Sequence, residues 1–355
     1  MPSAHVDILS KPPFSLPESF RAIDKAIESN ALIAEQILDA GLVSFSISLD
    51  DVSWHGTAKP SDVDKARSTI NQLYREWSSD GLPERHAGFS PLLAALDSHL
   101  PSVPPDQRHQ YRVLIPGAGL GRLVLEVSTA GYTAEGNEIS YHQVLASTYI
   151  LNYTKAAEKH RLYPFVSIFN NHLSRADQLQ VVEVPDIHHS EVHSSDRMSL
   201  TVGDFCSLYT QPKYKDSFDA ILTCFFIDTA SNIIRYIETV KHCLKPGGIW
   251  CNNGPLLWHS EVKPPSAAGE TEPLDEIVSA TTYSDSTSRG SDTMPVEHGS
   301  FELTNEEVIA LVKLYDFEIL EQKEALMGTT GYVQNSASML QHVYEPSFWV
   351  AKNMS

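Results

Sequence analysis

The chain has 355 residues, 42% of them hydrophobic, enough for a sizeable core and, at roughly 150 residues per unit, about two structural units. Asp and Glu number 45 against 26 Lys and Arg, a formal charge of −19. Such a surface repels phosphate backbones and anionic lipid, so the expected partners include no nucleic acid and no membrane.

The first 105 residues read as helices with polar joints. Residues 17–40 are helix-forming, with Pro17 in a first turn and Gly41 as the stop. In 61–79, Ser61 or Asp62 can cap a helix whose stripe is Val63, Ala66, Ile70, Leu73, Tyr74 and Trp77. A third helix is expected over 90–100, stopped by Pro101; Pro104 and Pro105 then mark a joint. Beyond it, strands at 112–116, 132–138, 200–202, 220–226 and 249–252 alternate with helices at 120–130, 141–158 and 232–244. A helix at 304–315 and strands at 317–320 and 344–350 close the chain. This alternation specifies an α/β fold, a mostly parallel Rossmann-like sheet with helices on both faces, preceded by an N-terminal helical region. The domain division expected is 1–105 and 106–355.

Two stretches break the rhythm. Residues 185–197 are polar and histidine-rich, and 261–300 hold eight acids and two bases among many Ser, Thr, Gly and Pro. The second reads as a mobile insertion without regular structure.

The strongest local signal is Pro116-Gly117-Ala118-Gly119-Leu120-Gly121-Arg122, which follows a strand and opens a helix. Glycines allow a sharp turn and a close ligand approach to the backbone N–H groups. Glu138 ends the next strand, where a carboxylate can accept both hydroxyls of a ribose. The spacing is GxGxG and not the GxGxxG of dinucleotide binders, so it fits S-adenosyl-L-methionine, which has a ribose and no pyrophosphate. Asp204 and Phe205 follow the third strand, where methyltransferases of this fold often place an acid toward the adenine, and Leu244-Lys245-Pro246-Gly247-Gly248, a turn frequent in the same superfamily, precedes the fifth. Together these specify a class I methyltransferase sheet. Gly117, Gly119, Gly121, Glu138, Asp204, Phe205 and Cys224, at the fourth strand, form the expected cofactor set.

That fourth strand runs Thr223-Cys224-Phe225-Phe226-Ile227-Asp228, placing an acid where a parallel sheet opens to its crevice. Asp228 can cap the next helix, hold the acceptor's nucleophile, or do both. After the fifth strand, Gly254-Pro255-Leu256-Leu257-Trp258-His259 brings an indole and an imidazole to the same rim.

Other chemistries find less support. The four cysteines form no CxxC pair and read as buried free thiols of a reducing compartment, hence a cytoplasmic and also nuclear protein. His188, His189 and His193, with Glu191 and Asp196, lie between Pro185 and several serines and read as a solvated loop, so no metal is expected. A nicotinamide oxidoreductase would want the other glycine spacing. A non-catalytic, partner-recruiting module would have no use for an intact glycine turn with Glu138 and Asp228. An N-terminal helical layer could support a homodimer.

In order, GAGLGRL, GNEIS, TCFFIDTA, LKPGGIW and GPLLWH resemble the carnosine N-methyltransferase family. Also matching are Gln72-Leu73-Tyr74-Arg75-Glu76-Trp77-Ser78, Tyr163-Pro164, Asn170-Asn171, Ser174-Arg175-Ala176-Asp177-Gln178, Tyr332-Val333-Gln334-Asn335 and Ser338-Met339, spanning about 62–352. The resemblance implies that Gln72 and Arg75 reach the methionine end of the cofactor, although both lie off the helix's apolar stripe and would otherwise be read as solvent-facing. It places Asp228, His259, Tyr332 and Tyr344 around an imidazole dipeptide, with His342 where animal enzymes have tyrosine. Asp228, His259 and Tyr344 are the implied catalytic set: the carboxylate fixes the ring tautomer and the other two hold the ring or the peptide. The small-molecule or peptide acceptor is a histidine dipeptide such as carnosine, methylated to anserine. The runner-up is another small amine or amide, or a peptide or protein histidine.

Overall fold

The computed structural model describes residues 1–48, 50–100, 104–154, 160–187, 197–258, 301–323 and 329–355. A short helix (Ser3–Leu9) precedes three long ones, α1 (Leu16–Ser44), α2 (Pro60–Trp77) and α3 (Leu82–His99). Strands and helices then alternate: β1 (Arg112–Pro116), α4 (Arg122–Thr129), β2 (Thr133–Glu138) and α5 (Tyr141–Asn152). Next come β3 (Met198–Val202), α6 (Phe205–Tyr209), β4 (Phe218–Cys224), α7 (Ile233–Cys243) and β5 (Leu244–Gly254). The last elements are α8 (Asn305–Leu314), β6 (Phe317–Lys323) and β7 (Ser347–Asn353).

The sheet order is β3-β2-β1-β4-β5-β7-β6. The first five strands are parallel, while β7 runs antiparallel to both β5 and β6. Because both faces are covered, β1 is apolar almost throughout. Leu114, Ile221, Trp250 and Trp349 pack on one face with Ile233 and Ile237 of α7 and Val308 and Val312 of α8. Val113, Ile115, Leu222, Cys251 and Val350 pack on the other with Leu92 and Leu96 of α3 and Val124 and Val127 of α4. This is the two-residue alternation of a strand.

Several expectations are corrected. Helix α3 begins at Leu82, eight residues before the expected start, and carries Pro91 within it. In α2, Val63 is half exposed, whereas Gln72 and Arg75 are buried. From Thr69 to Trp77 most of the circumference of α2 is enclosed, and a single apolar stripe cannot reveal that. Strand β4 stops at Cys224 because Phe225 takes a positive φ of 53°. The last strand starts at Ser347, and Tyr344 makes only an isolated bridge with Thr330. Cys206, Cys243 and Cys251 are buried free thiols, and Cys224 is half-buried. A small antiparallel pair, His160–Leu162 with Val182–Val184, had no signal in the sequence pattern. The histidines expected in a polar loop, the insertion at 261–300 and His259 fall outside the described residues.

Helix α2 is fastened to the sheet layer by packing and by charge. Ile70, Leu73 and Trp77 pack with Leu120, Leu125 and Ile150, and Trp77 Nε1 donates to Leu120 O at 3.1 Å. Asp186, whose own N–H donates to Trp77 O, receives Arg85 Nη2 at 2.7 Å and Arg122 Nη1 at 2.6 Å. Removing one partner of a buried ion pair leaves uncompensated charge, here on Arg85, since Arg122 keeps its pair with Glu126 at 2.9 Å. Asp186→Ala is expected to lower stability by about 3–5 kcal/mol in urea titrations. Asp7→Ala, which breaks an exposed pair with Lys11, is expected to shift it by less than about 1 kcal/mol.

Candidate active site

A cavity of about 260 Å³ opens at the carboxyl ends of β1, β2 and β4. Here β1 has β2 on one side and β4 on the other, the position at which open α/β sheets bind ligands. Gly117 and Gly119 form its floor at φ of 67° and 59°. A Cβ on Gly117 would lie 2.5 Å from the Phe226 ring, and one on Gly119 would lie 2.8 Å from Glu76 Oε1. Gly121 is not part of the lining; at φ 82° it is the N-cap of α4, against Ser147.

Glu138 is buried at the end of β2 and lines the cavity. Its Oε2 accepts from Gly119 N at 3.0 Å, and its Oε1 accepts from Ile139 N and Ser140 N at 2.9 and 2.8 Å. Burial raises its pKa, opposed by those three N–H donors. Asn137 ties β2 to the turn after β3 by donating to Thr201 O and Gly203 O. In that turn, exposed Asp204 accepts from Ser207 N at 2.7 Å and Phe205 is buried. Phe205 meets Phe226 and Tyr236 edge-on at 5.6 and 5.5 Å, and the latter two stack at 4.8 Å. This aromatic wall suits a purine ring.

The roof comes from α2. Arg75 is 5% exposed, with its guanidinium carbon 4.6 Å from the Tyr332 ring, 5.1 Å from Phe225 and 5.6 Å from Phe89. Its Nε and Nη2 have no hydrogen-bond partner among the described residues, and its nearest carboxylates, Glu84 and Glu76, stand at 3.9 and 4.0 Å. A buried cation with spare donors on a cavity wall fits an incoming carboxylate. Neighbouring Glu76, which also lines the cavity, accepts from Leu120 N at 3.1 Å and more weakly from Arg122 N at 3.5 Å, so it caps the glycine turn. Sequence reasoning passed over Glu76, Asn137, Phe226 and Tyr236. The one available signal was that Glu76 shares a motif with Gln72 and Arg75. Gln72 borders a second cavity, of about 360 Å³, and Tyr332 lines both. Burial pushes the Cys224 thiol up to about 11, so this cavity residue stays a neutral thiol.

Among the residues expected to meet the acceptor, Asp228 is buried in a one-turn helix, Ile227–Thr229, behind the wall formed by Phe225, Phe226 and Thr229. Its Oδ2 accepts from Leu257 N at 2.9 Å, joining the ends of β4 and β5. It does not cap α7, because Asn232 does so by accepting from Ile234 N. Tyr332 and Tyr344 lie 5.7 and 6.1 Å from the Phe225 ring, the second edge-on. His342 is exposed, and its backbone N–H donates to Gln334 Oε1. Among the described residues no cluster of His, Cys, Asp and Glu could hold a metal, and no helix is long and apolar enough to cross a membrane.

Burial raises the Glu76 carboxyl from 4.5 to about 7, with Arg75 pulling it back down. The folded chain therefore keeps a proton between these values that the unfolded chain has released. The resulting stability is complete below about 4.5 and is lost as pH rises through about 7. Glu76→Gln keeps the shape and stays neutral. Relative to the parent it is expected to gain up to about 3 kcal/mol between pH 4.5 and 8 in urea titrations. Parallel pH curves for the two proteins would show a normally titrating carboxyl.

A family model described as carnosine N-methyltransferase matches residues 52–355. The carnosine N-methyltransferase of Schizosaccharomyces pombe is 34% identical over 93% of this chain and 81% of its own length. Those of Rattus norvegicus and Mus musculus are 34% and 35% identical over 82% of this chain, which spans only 63% of each. A solved phosphoethanolamine N-methyltransferase 2 from Haemonchus contortus, in complex with S-adenosyl-L-methionine, aligns with 78% of this chain and 46% of its own. At 14% identity and a TM-score of 0.37, that overlap is too partial to bear on function. The match over 52–355 and the fission-yeast relative establish that the chain belongs to the carnosine N-methyltransferase family, a family of S-adenosylmethionine-dependent N-methyltransferases.

Proposed function

We propose that this chain methylates an imidazole nitrogen of a histidine-containing dipeptide such as carnosine, giving anserine. The observation that carries the reading is the buried Arg75 guanidinium, with donors to spare, roofing the glycine turn beside Glu138. Arg75 would hold the amino-acid carboxylate of S-adenosylmethionine and Glu138 its ribose, with Phe205, Phe226 and Tyr236 walling the adenine. When bound, S-adenosylmethionine supplies an electrophilic methyl on a sulfonium. The relatives' printed names support the acceptor class.

What remains for the protein is placement. Proximity and alignment contribute several kcal/mol to a displacement, up to about 7–11 in the best intramolecular cases. An imidazole attacks only when neutral, which a ring of pKa about 6.5 largely is at pH 7. A carboxylate that accepts the other ring N–H fixes the tautomer and raises the nucleophilicity of the attacking nitrogen. Asp228 is assigned that role from the end of β4: Leu257 N–H sets its orientation, and the Phe225–Thr229 segment that separates it from the cavity has to shift for the carboxylate to reach the ring. Tyr344 and Tyr332, packed about Phe225, would hold the ring and the peptide portion, and the resemblance adds His259.

Gly117→Val puts a branched side chain at a left-handed φ and against Phe226. Calorimetry with S-adenosylhomocysteine is expected to show no binding, and normal affinity would remove the turn from the donor site. Asp228→Asn and Asp228→Ala are expected to keep that affinity and lose turnover of carnosine by about 10²-fold or more, as for a positioned hydrogen-bonding base. Undiminished turnover would remove Asp228 from the mechanism. Assaying carnosine beside free histidine, other histidine dipeptides and small amines tests the acceptor class.

A further inference from the structure

Glu84 lies in the first turn of α3 and is buried. A first-turn acid ordinarily serves its own helix terminus. Here, Oε2 accepts from Val333 N at 2.8 Å and Oε1 from Gln334 N at 2.7 Å, across 249 and 250 residues of chain. Two short bonds to one carboxylate make a charge-assisted clamp. The clamped backbone is strained: Val333 is β-branched and sits at φ 55°, a conformation that persists only where the surroundings impose it. The residue before it is Tyr332, 40% exposed, whose ring covers Arg75 and lines both the donor cavity and its neighbour. Glu84 Oε2 also stands 3.9 Å from Arg75 Nε. One buried carboxylate thus fixes the backbone that carries Tyr332 while standing beside the Arg75 cation.

We propose that Glu84 is a positioning residue for methyl transfer, acting through Tyr332 by holding the 332–334 turn in its left-handed form. The inference rests on the acceptor reading above. It differs from a simple fold-stapling role in what it does to kinetics. Glu84→Gln keeps the volume but turns an amide N–H₂ toward one of the two backbone N–H groups. The catalytic efficiency on carnosine is expected to fall by about tenfold or more, mainly through a raised KM, while affinity for S-adenosylhomocysteine stays within about threefold. Tyr332→Ala should fall similarly, and the double variant no further, because the two act as one unit. Glu84→Asp, which withdraws the charge by one methylene, should show the same split in smaller measure and serves if the Gln variant does not fold.

Multiplicative losses in the double variant, or full efficiency in a variant whose melting temperature has dropped, would overturn the proposal. A readout that needs no turnover is 3-fluorotyrosine at position 332 in the full chain with S-adenosylhomocysteine. Its ¹⁹F resonance should shift or broaden in Glu84→Gln. If the parent methylates no dipeptide, the acceptor reading fails by itself. The ¹⁹F spectrum then decides Glu84, and an unmoved resonance overturns it.

Discussion

The cavity at the carboxyl edge of the sheet depends on a carboxylate from one region of the chain satisfying backbone donors in another. The first N–H groups of any helix lack partners within it, and α4 starts directly on the glycine turn, whose own N–H groups also need acceptors. Glu76, from α2, accepts from Leu120 N and Arg122 N. That bond, with the Trp77 contact and the Asp186 clamp, lays α2 across the carboxyl edge of the sheet. Arg75 then has only one place to go, the roof of the cavity, where aromatic rings surround it and no full ion pair satisfies it. An α/β sheet alone would offer an open groove; the helix makes it an enclosed, charged one.

The division of labour follows the chemistry. The cavity presents charged groups at Arg75 and Glu138 and aromatic rings at Phe205, Phe226 and Tyr236, a division that suits the placing of the methyl donor proposed above. Cys224, the one thiol among the described cavity residues, is kept neutral by burial and so is a poor rival for the methyl group. The proposed acceptor side is assembled from later segments, with Asp228 and Leu257 bridging two strand ends and Tyr332 and Tyr344 gathered around Phe225.

What could be read from the residues was what local pattern encodes. Strand β1, the glycine turn and Glu138 declare themselves by apolar runs, φ requirements and order along the chain. Features set by distant partners did not. Gln72 and Arg75 lie off their helix's apolar stripe, yet packing encloses the last turns of α2 on nearly every side. Asp228 had the right identity for a cap, but Asn232 stands in the position whose geometry allows it. Glu76, Glu84 and Asp186 are unremarkable acids in one dimension, and their partners lie some 44 to 250 residues away or in two separate segments. Family resemblance supplied Arg75 and the tyrosines; it was silent on the carboxylates that hold them.

The sheet order carries a kinetic consequence. Strand β6 is made before β7 yet pairs within the sheet only with β7, which sits between it and β5. Until residues 347–353 emerge, β5 presents an unpaired edge and Trp250 lacks the cover of Trp349. An exposed apolar edge of this kind invites pairing with other chains. The sheet from β5 to β6 can therefore be completed only once residues 347–353 are in place.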